Sequence, residues 1–559
     1  MKLNGSQIVM ECLLEQGVDT VFGYPGGSIL NVYDALYHYR DRIHHVRTSH
    51  EQGAAHAADG YARTTGKVGV CFATSGPGAT NLVTGLATAY MDSVPVVAIT
   101  CNVGNAVLGK DSFQEVDIAG VAIPITKYGT IVKRVEDVAP TIRRAFRLAR
   151  KGRSGPVLVD ITKDVTAAVT EFEPKQPDPI VKDEVKIREK ELETALSMIQ
   201  EAKKPVIFAG GGVIAAEASA ELAEFVDRVD APVTLSLMGQ GAFDEADSRY
   251  MGMLGMHGTK TTNFSVAECD LLIGVGVRFS DRCTGNTEKF ASNAKIIHID
   301  IDPAEINKNI RTDAAIIGDI KPVLQELNAR LEKQSHPEWM EKVQERKQKY
   351  PMPVEEGLSG PWIISMIDEN TPEDTVIVTD VGQHQMWSAQ YYTYRHPRTF
   401  LSSGGLGTMG YGLGAAIGAK VAFPDRTVVQ VTGDGCFRMN MNELATVSAN
   451  DLAVITVIVD NHALGMVRQW QNLFYEKRYS ETVVKDKVNY AAVAEALGVK
   501  GYTVRTREEA EAAFKEALAS GKAAVIDCMT DCDEMVFPMV VPGGLLPDTF
   551  DKGDMTEKQ

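Results

Sequence analysis

Short apolar runs rich in β-branched residues alternate along this chain with longer segments of helical periodicity. Most of the runs end in glycine, proline or a polar residue, as strands do where they leave a sheet. Strands that alternate with helices in this way predict α/β domains with parallel sheets, and the grouping of the runs predicts three doubly wound domains. The predicted strands are residues 20–23, 68–74, 94–100, 155–161, 205–210, 271–276, 295–300, 427–433 and 452–461.

The spacing of these runs also predicts the domain boundaries. We expect α/β domains at residues 1–165, 191–335 and 361–532, a proline-containing linker at 166–190, a charged helical connector at 336–360 and a tail at 533–559. The first and third domains share one rhythm of strands and helices, which fits a duplicated pair that holds a cofactor between its halves. We expect the glycine- and proline-rich tail either to be mobile or to fold over a site.

Composition narrows the classes of function. The 559 residues carry a formal charge of −17, which argues against a nucleic-acid-binding or anionic-membrane-binding surface. The apolar and charged fractions, 44% and 23%, are ordinary for a soluble globular protein. The cysteines are scattered without a Cys-x-x-Cys pair, the sequence begins without an apolar signal segment, and no apolar run reaches membrane-spanning length. We therefore expect a cytoplasmic protein with free thiols.

The stretch 427–461 contains the strongest chemical signal. Its first strand ends in Gly433-Asp434-Gly435, and its second strand ends in Asp460-Asn461. Parallel strands place their carboxyl ends at one edge of the sheet, so Asp434 and Asn461 are expected to meet there as oxygen ligands. Such a site suits Mg²⁺ bound together with phosphates, and the two glycines let backbone amides approach a phosphate. The alternative is that Gly-Asp-Gly is only a tight turn.

These two strand ends resemble the diphosphate and metal motif of thiamine-diphosphate enzymes. The resemblance implies bound thiamine diphosphate and a Mg²⁺ ion held by Asp434, Asn461 and the main-chain carbonyl of Ala463. One departure is visible, because the family commonly has Asn-Asn where this chain has Asp460-Asn461. The ligand is the second residue of that pair, so the resemblance still implies the cofactor.

A second stretch, residues 49–63, is helix-prone and rich in small residues. Its His50-Glu51 pair does not belong to a zinc-protease motif, because that motif requires a histidine at the position of Ala54. Seen alone, Glu51 fits an acid at a helix start. The stretch is similar to the thiamine-enzyme helix whose glutamate contacts the aminopyrimidine ring and favours its reactive tautomer. In that family the glutamate and the metal site come from different subunits, which implies a homodimer at least.

The resemblance extends over nearly the whole chain and narrows to the catalytic subunits of acetohydroxyacid synthases, the biosynthetic acetolactate synthases. It implies decarboxylation of pyruvate and condensation with a second 2-keto acid, pyruvate or 2-ketobutyrate. The products would be 2-acetolactate or 2-aceto-2-hydroxybutyrate, the precursors of valine, leucine and isoleucine. It further implies FAD and a homodimer or homotetramer with active sites at the dimer interface. Biosynthetic members usually also have a separate regulatory small subunit. The matching stretches are residues 22–27, 113–115, 252–258, 278–282, 383–387, 403–410 and 465–471.

The resemblance assigns individual residues to three roles. The catalytic set is Glu51, Gln114, Lys163 and Met409, and the substrate-binding set is Phe113, Met256, Arg282 and Trp470. The cofactor-binding set is Pro25, Gly26, Glu51, Gln383, His384, Met409, Gly433, Gly435, Arg153, His257, Gly258, Arg278, Asp300, Asp302 and Asp319. The stretches around residues 153, 257, 278 and 300 belong to the FAD part of that set. Ser280 departs from the family, which usually has aspartate there.

Several of these assignments have alternatives that the sequence leaves open. The planar fork of Arg282 suits a carboxylate, and the alternative is a surface ion pair with Asp281. Lys163 could be a surface charge, and Met409 and Trp470 could be core residues. For the whole chain, the alternatives are an FAD-free catabolic acetolactate synthase, another thiamine-dependent 2-keto acid decarboxylase or carboligase, and a non-catalytic nucleotide-binding protein.

Overall fold

The computed structural model describes residues 1–177, 187–485 and 487–556. Its strands form three six-stranded parallel sheets and one two-stranded antiparallel sheet, β1 with β8. The strands are β1 (Lys2–Asn4), β2 (Thr20–Gly23), β3 (His44–Arg47), β4 (Gly69–Ala73), β5 (Val96–Asn102), β6 (Tyr128–Val132), β7 (Val157–Thr162), β8 (Val169–Glu171), β9 (Pro205–Ala209), β10 (Val233–Leu235), β11 (Tyr250–Met253), β12 (Leu271–Val275), β13 (Lys295–Asp300), β14 (Ala314–Ile317), β15 (Val376–Thr379), β16 (Phe400–Leu401), β17 (Val428–Gly433), β18 (Val454–Asp460), β19 (Lys500–Val504) and β20 (Ala524–Met529).

Helices connect the parallel strands and cover the sheets. They are α1 (Gly5–Glu15), α2 (Leu30–Tyr39), α3 (Glu51–Thr65), α4 (Pro77–Asn81), α5 (Val83–Met91), α6 (Ile118–Ala122), α7 (Val138–Arg150), α8 (Lys163–Ala167), α9 (Glu189–Glu201), α10 (Gly211–Ala215), α11 (Ser219–Val229), α12 (Lys260–Glu268), α13 (Asp281–Thr284), α14 (Ile320–Arg330), α15 (Pro337–Lys349), α16 (Gly360–Asn370), α17 (Gln383–Tyr391), α18 (Gly412–Ala422), α19 (Asp434–Asn440), α20 (Leu444–Ala449), α21 (Gly465–Phe474), α22 (Tyr490–Ala496), α23 (Arg507–Ser520) and α24 (Lys552–Thr556).

The strand orders reveal the relationship between the domains. The first sheet has the order β3-β2-β4-β5-β7-β6, and the third has the order β16-β15-β17-β18-β20-β19. Counted within each domain, both orders are 2-1-3-4-6-5, so the two domains have the same sheet topology. The second sheet, β11-β10-β9-β12-β13-β14, has the order 3-2-1-4-5-6 of dinucleotide-binding domains. The predicted fold class, three doubly wound parallel-sheet domains, is confirmed.

The first and third domains pack against each other along α3 and α18. A Cβ atom at Gly418 would lie 1.9 Å from the Ala57 carbonyl oxygen, and one at Gly60 would lie 2.2 Å from that of Ala415. Backbone therefore meets backbone at both points, where any larger residue would force the helices apart. This contact fixes the helix that begins at Glu51 relative to the third sheet.

The predicted connecting segments differ in how much structure they contain. The 166–190 segment begins with the end of α8 and with β8, which pairs with β1, whereas residues 178–186 lie outside the described residues. The 336–360 segment contains α15. The tail packs against the second and third domains through buried Val536, Phe537 and Met539, and residues 557–559 lie outside the described part. Within the described ranges, no helix has both the length and the apolar character needed to cross a bilayer.

Candidate active site

Glu51 lies at the carboxyl edge of the first sheet, as the first residue of α3. Its carboxylate is largely buried, with 9% of the residue exposed, and its Oε2 accepts a hydrogen bond of 2.9 Å from the Asn81 side chain. A Cβ atom at Gly78 would lie 3.1 Å from Oε1. The Asn81 amide therefore orients the carboxylate, and the Gly78 backbone lies close to its other oxygen.

The turn after β4 gathers the other predicted residues of this edge. Gly26 lies so close to Thr74 that a Cβ atom would stand 2.5 Å from the threonine methyl carbon. Gly76, at φ 60°, lies against Gln114, with 2.9 Å between the constructed Cβ and the Gln114 Cα. Pro25, beside Gly26, is exposed. The backbone turn at residues 74–78 thus contacts Gly26, Gln114 and the Glu51 carboxylate.

Two predicted residues of the first domain face solvent in the single chain. Phe113 is 87% exposed. Lys163 follows β7 at the same sheet edge and is also exposed. The assignment of Lys163 to a substrate channel stays a prediction.

Asp434 and Asn461 meet at the carboxyl edge of the third sheet, because β17 and β18 pair in parallel up to Gly433 and Val459. Both are buried, with 1% and 6% of the residues exposed. The Asn461 amide is fixed on both sides: Oδ1 accepts from the Ala463 N–H at 3.0 Å, and Nδ2 donates to Gln383 Oε1 at 3.2 Å. The three predicted metal-binding residues therefore lie in one short segment and its neighbouring strand end.

Asp460, the departure from the family pattern, also lies at this edge. Ligand atoms of Asp434, Asp460 and His462 all lie within 4.8 Å of one another, so this edge offers more metal donors than we had predicted. Asp460 Oδ1 accepts from the His462 N–H at 2.9 Å. Burial and then the Asp460 charge raise the pKa of Asp527 on the adjacent strand, which favours a protonated acid beside the site.

His384 contributes a buried neutral imidazole to the same edge. Burial lowers its pKa to about 3, and its Nε2 has no hydrogen-bond partner among the described residues. A Cβ atom at Gly433 would lie 3.1 Å from His384 Nδ1, and one at Gly465 would lie 1.9 Å from Gln383 Oε1. The Met409 methyl carbon lies 3.8 Å from the corresponding position at Gly435. The glycines thus allow these side chains to pack closely against the backbone at this edge.

Three of the four predicted substrate-binding residues meet where the second domain contacts α21 of the third domain. The Arg282 guanidinium carbon lies 5.8 Å from the centroid of the Trp470 ring, and Nη1 lies 3.6 Å from the Met256 sulfur. The alternative ion pair is also present, because Arg282 lies 3.8 Å from Asp281, where both side chains are exposed. The tail packs against Met256 and Trp470 of this cluster through Phe537. Of the two alternatives expected for the tail, the described part is therefore folded against the protein.

The predicted FAD residues of the second domain collect at the carboxyl edge of its sheet. Arg153 forms ion pairs with Asp302 at 3.3 Å and with Glu305 at 2.7 Å. Burial raises the pKa of Asp300 to about 6. The Arg278 guanidinium donates to the Met91 carbonyl.

The remaining residues of that set have structural partners. Asp319 accepts from the Lys321 N–H at the start of α14. Burial lowers the pKa of His257 to about 4, so its imidazole is neutral. Gly258 follows it with backbone packed closely against Met253. At the end of β12, Gly276 has φ 60°, which suits a tight approach of backbone at the crossover point of the sheet.

Comparison with known proteins gives a match in each domain. The family models described as thiamine pyrophosphate enzyme N-terminal TPP binding domain, central domain and C-terminal TPP binding domain match residues 3–121, 192–327 and 380–528. The "Acetolactate synthase isozyme 2 large subunit" of Escherichia coli is 46% identical over 98% of this chain and 100% of its own length. The chain belongs to the acetolactate synthase large-subunit family of thiamine pyrophosphate enzymes.

Other members of this family are similarly close. The "Probable acetolactate synthase large subunit" of Methanocaldococcus jannaschii is 46% identical over 97% of this chain and 94% of its own length. The "Acetolactate synthase large subunit" of Haemophilus influenzae is 43% identical over 98% of this chain and 97% of its own length. The similarity thus covers all three sheets and the segments between them.

The structure adds residues around the family site that the sequence did not reveal. Asn81 holds the Glu51 carboxylate, and Asp92 accepts hydrogen bonds from the glycine-rich loop before α18. Glu443 accepts hydrogen bonds from the backbone just before α3. Nothing local marks the two acids, because the backbone amides from which they accept hydrogen bonds are hundreds of residues away.

Proposed function

We propose that this chain catalyses the acetolactate synthase reaction. Pyruvate loses carbon dioxide, and the remaining two-carbon unit joins a second 2-keto acid, pyruvate or 2-ketobutyrate. The products are 2-acetolactate and 2-aceto-2-hydroxybutyrate, which serve valine, leucine and isoleucine synthesis. The observation that carries the proposal is the nearly full-length similarity to relatives of that name, in a chain that has both Glu51 and the Asp434–Asn461 pair.

Thiamine diphosphate, when bound, supplies the reactive carbon and the electron sink that decarboxylation of a 2-keto acid requires. The chain's own groups fit this cofactor, because the buried Nε2 of His384 has no hydrogen-bond partner among the described residues and would bind a polar ligand at this edge. We infer that Glu51 exchanges a proton with the aminopyrimidine ring. Its fixed orientation by Asn81 supports this role.

Mg²⁺ is the metal that we propose at the third sheet. A buried carboxylate, an amide oxygen and a main-chain carbonyl, from Asp434, Asn461 and Ala463, are hard oxygen donors that suit it. These few protein ligands leave room in the coordination shell for diphosphate oxygens. The carboxylate would offset part of the ion's charge, and the amides at the start of α19 would face the phosphate.

FAD is the second cofactor that we propose. The sheet order of the second domain and the close backbone contacts around Gly276 fit a dinucleotide at the point where the strand order reverses. Arg153 would bind a phosphate in place of its ion pairs with Asp302 and Glu305, and Asp300 lies at a strand end where a ribose hydroxyl could bind. The departure at Ser280 lies in the adjoining loop.

A homodimer would complete the site. Glu51 lies at one sheet edge and Asp434 at another, and Phe113 is exposed in the single chain. Further exposed apolar residues of the first and third domains support an apolar contact between two copies, among them Ile123 at 70% and Met439 at 53%. We infer that Phe113, Gln114 and Lys163 of one chain approach the Arg282 cluster of another. The name "large subunit" of the relatives supports a separate small subunit that regulates the enzyme.

The Arg282 cluster is the proposed site of the second substrate. A guanidinium presents two parallel N–H donors to a carboxylate, which every 2-keto acid carries. Trp470 and Met256 offer an apolar wall beside it for the alkyl group. We also propose a cytoplasmic location, since none of the eight cysteines is in a disulfide.

One assay tests the proposed function. The purified protein is given pyruvate with and without 2-ketobutyrate, and thiamine diphosphate, Mg²⁺ and FAD are omitted in turn. We expect acetolactate in the first case, both products in the second, and loss of activity on each omission. Release of acetaldehyde in place of acetolactate would contradict the carboligase function. Full activity of a flavin-free preparation would favour the FAD-free catabolic enzyme.

A further inference from the structure

Glu443 is a buried carboxylate of the third domain that reaches the start of the helix bearing Glu51. The residue is 0% exposed and lies between α19 and α20. Its Oε1 accepts from the His50 N–H at 2.9 Å, and its Oε2 accepts from the Ser49 N–H at 3.0 Å. The Thr446 hydroxyl donates to Oε2 at 2.6 Å. Because both amides come immediately before α3, the carboxylate fixes the backbone from which the Glu51 side chain projects.

Gly53, in the first turn of α3, leaves room for this carboxylate. A Cβ atom at Gly53 would lie 2.3 Å from Oε1, 2.6 Å from Cδ and 3.1 Å from Cγ of Glu443, and these are its three nearest neighbours. Glycine is unfavourable inside a helix, so its presence here needs a reason. The Glu443 side chain provides that reason, because it supplies all three of the atoms nearest to a Cβ at this position.

The Glu51 side chain is thus held at two points. Asn81 holds the carboxylate, and Glu443 holds the backbone. A group that exchanges protons with a bound molecule must lie within hydrogen-bond reach of it, and a misplacement of about 1 Å can cost a factor of ~10² in rate. The backbone contact therefore bears directly on the position of the reacting group.

We propose that Glu443 is a positioning residue for Glu51, acting through the backbone amides of Ser49 and His50. The proposal rests on the proposed function, which gives Glu51 its contact with the aminopyrimidine ring. The segment that begins with Asp434, the proposed metal ligand, also leads directly into Glu443. In one chain, α19 and the short turn after it therefore connect Asp434 to Glu443, which contacts the start of α3.

Glu443→Gln is the first test, because it keeps the shape of the side chain but replaces one acceptor oxygen by a donor. We expect kcat to fall by roughly 10–10²-fold, while the pyruvate KM and the calorimetric Kd for thiamine diphosphate stay within about 3-fold. Tyr411→Phe is the matched control, since it removes a hydroxyl that donates to Asp59 on the same helix at 2.7 Å, about two turns from Glu51. The control should retain kcat.

A double-mutant cycle on thermal unfolding tests the geometry without activity. Gly53→Ala should lower the unfolding midpoint of the wild-type protein, because the new methyl collides with the Glu443 carboxylate. In the Glu443→Ala background the same change should be neutral or raise the midpoint, because alanine favours a helix. An equal effect in both backgrounds would overturn the proposed contact. Should Glu443→Ala fail to fold, the Glu443→Gln kinetics still decide.

The outcomes separate this proposal from the proposed function. Glu51→Gln is measured in parallel. If Glu51→Gln keeps its turnover, the proposed role of Glu51 is wrong, and the positioning role is wrong with it. If Glu51→Gln is slow while Glu443→Gln turns over like Tyr411→Phe, only the positioning role is overturned.

Discussion

The carboxylate of Asp92, at the end of α5 in the first domain, accepts a hydrogen bond of 2.8 Å from the Gly405 amide in the third domain. Its other oxygen accepts from the Gly404 amide and from the Arg63 guanidinium, both at 3.0 Å. The side chain is fully buried. One carboxylate therefore anchors the glycine-rich loop that leads to Met409 to the body of the first domain.

Asp92→Asn should loosen that loop. The substitution places an NH₂ group either at Oδ1, where one amide donates, or at Oδ2, where two donors converge, so at least one buried donor loses its acceptor, at a cost of about 1–3 kcal/mol. We expect a lower unfolding midpoint in urea and a lower kcat. The control is Asp313→Asn, whose carboxylate accepts a single amide within the second domain, from Ile296 at 2.8 Å. Wild-type stability in Asp92→Asn would show that the anchor has no energetic role.

Glu51→Gln keeps the size of the side chain but removes its acid–base function. We expect a loss of roughly 10²–10⁴ in turnover, the usual contribution of a general acid–base group. Thiamine diphosphate should still bind, since its proposed diphosphate site is on the third domain, and calorimetry measures this directly. Turnover close to that of the wild type would remove Glu51 from the mechanism.

Asp434→Ala removes the charged member of the proposed metal site. Thiamine diphosphate should then lose its Mg²⁺-dependent binding while the fold is retained. The matched control is Asp531→Ala, because Asp531, Cys532 and Asp533 form a second group with ligand atoms within 4.8 Å, which is exposed. Calorimetry with and without Mg²⁺ separates the two variants. Unchanged affinity in Asp434→Ala, or an equal loss in the control, would place the metal elsewhere.

The sequence predicted the central strands of the sheets better than their edges. Strands such as β5 are buried along their whole length and read as continuous apolar runs. None of the six edge strands was predicted, because edges such as β19, with the sequence Lys-Gly-Tyr-Thr-Val, are half-exposed and polar. The duplicated topology of the first and third domains could be inferred only as a shared rhythm, since strand order depends on contacts between distant segments.

The residues of the candidate site also divide into those that the sequence predicts and those that it does not. Asp434 and Asn461 were predictable because each follows a strand, and parallel strands end together. Glu443 was not, because it contacts backbone amides more than 390 residues away, and the carboxylate of Asp92 serves the third domain in the same way. These hydrogen-bond partners depend on how whole domains pack together, and a local sequence pattern does not indicate that packing.

Glu534 predicts a specific dependence of stability on pH. Both its oxygens lie 3.1 Å from the Gly360 amide, and burial, together with the charge of Glu355, raises its pKa from 4.5 to about 7. Between these pH values the folded protein keeps a proton that the unfolded chain releases. The contribution of Glu534 to the free energy of unfolding is therefore fully present below pH 4.5 and falls by up to ~3 kcal/mol as the pH rises to 7.

Glu534→Gln should remove that dependence. Its unfolding midpoint, measured by thermal denaturation, should therefore rise relative to that of the wild type between pH 5 and pH 8. Glu508→Gln is the control of opposite sign. Glu508 is exposed at the start of α23, and a hydrogen bond from its own backbone amide lowers its pKa. The unfolding midpoint of that variant should fall slightly relative to the wild type only as the pH rises towards 4.5, and the difference should stay constant between pH 5 and pH 8. Parallel curves for Glu534→Gln and the wild type would show that Glu534 ionises normally in the folded protein.

Trp470→Leu tests the substrate-specific part of the site. The Trp470 ring lies beside Arg282 and the tail, where it can pack against the extra methylene of 2-ketobutyrate, a contact that pyruvate cannot make. One buried methylene contributes about 0.8 kcal/mol, and discrimination of this kind spans ~1–3 kcal/mol. Preference for 2-ketobutyrate over pyruvate should therefore fall by several-fold to about a hundredfold. Turnover of pyruvate alone should fall less, because its decarboxylation depends on Glu51 and the cofactor.

The measurement is a competition between the two keto acids, with both products quantified. Trp362→Leu is the matched control, since Trp362 also lies under an arginine, Arg507, at 5.1 Å, on α16. Loss of a tryptophan and of its cation–π contact is then common to both variants, and only Trp470→Leu should change the product ratio. If the ratio stays at the wild-type value in both, Trp470 is a packing residue beneath the tail. Selection of the second substrate would then depend on Arg282, which binds the carboxylate that all 2-keto acids share and so cannot by itself distinguish 2-ketobutyrate from pyruvate.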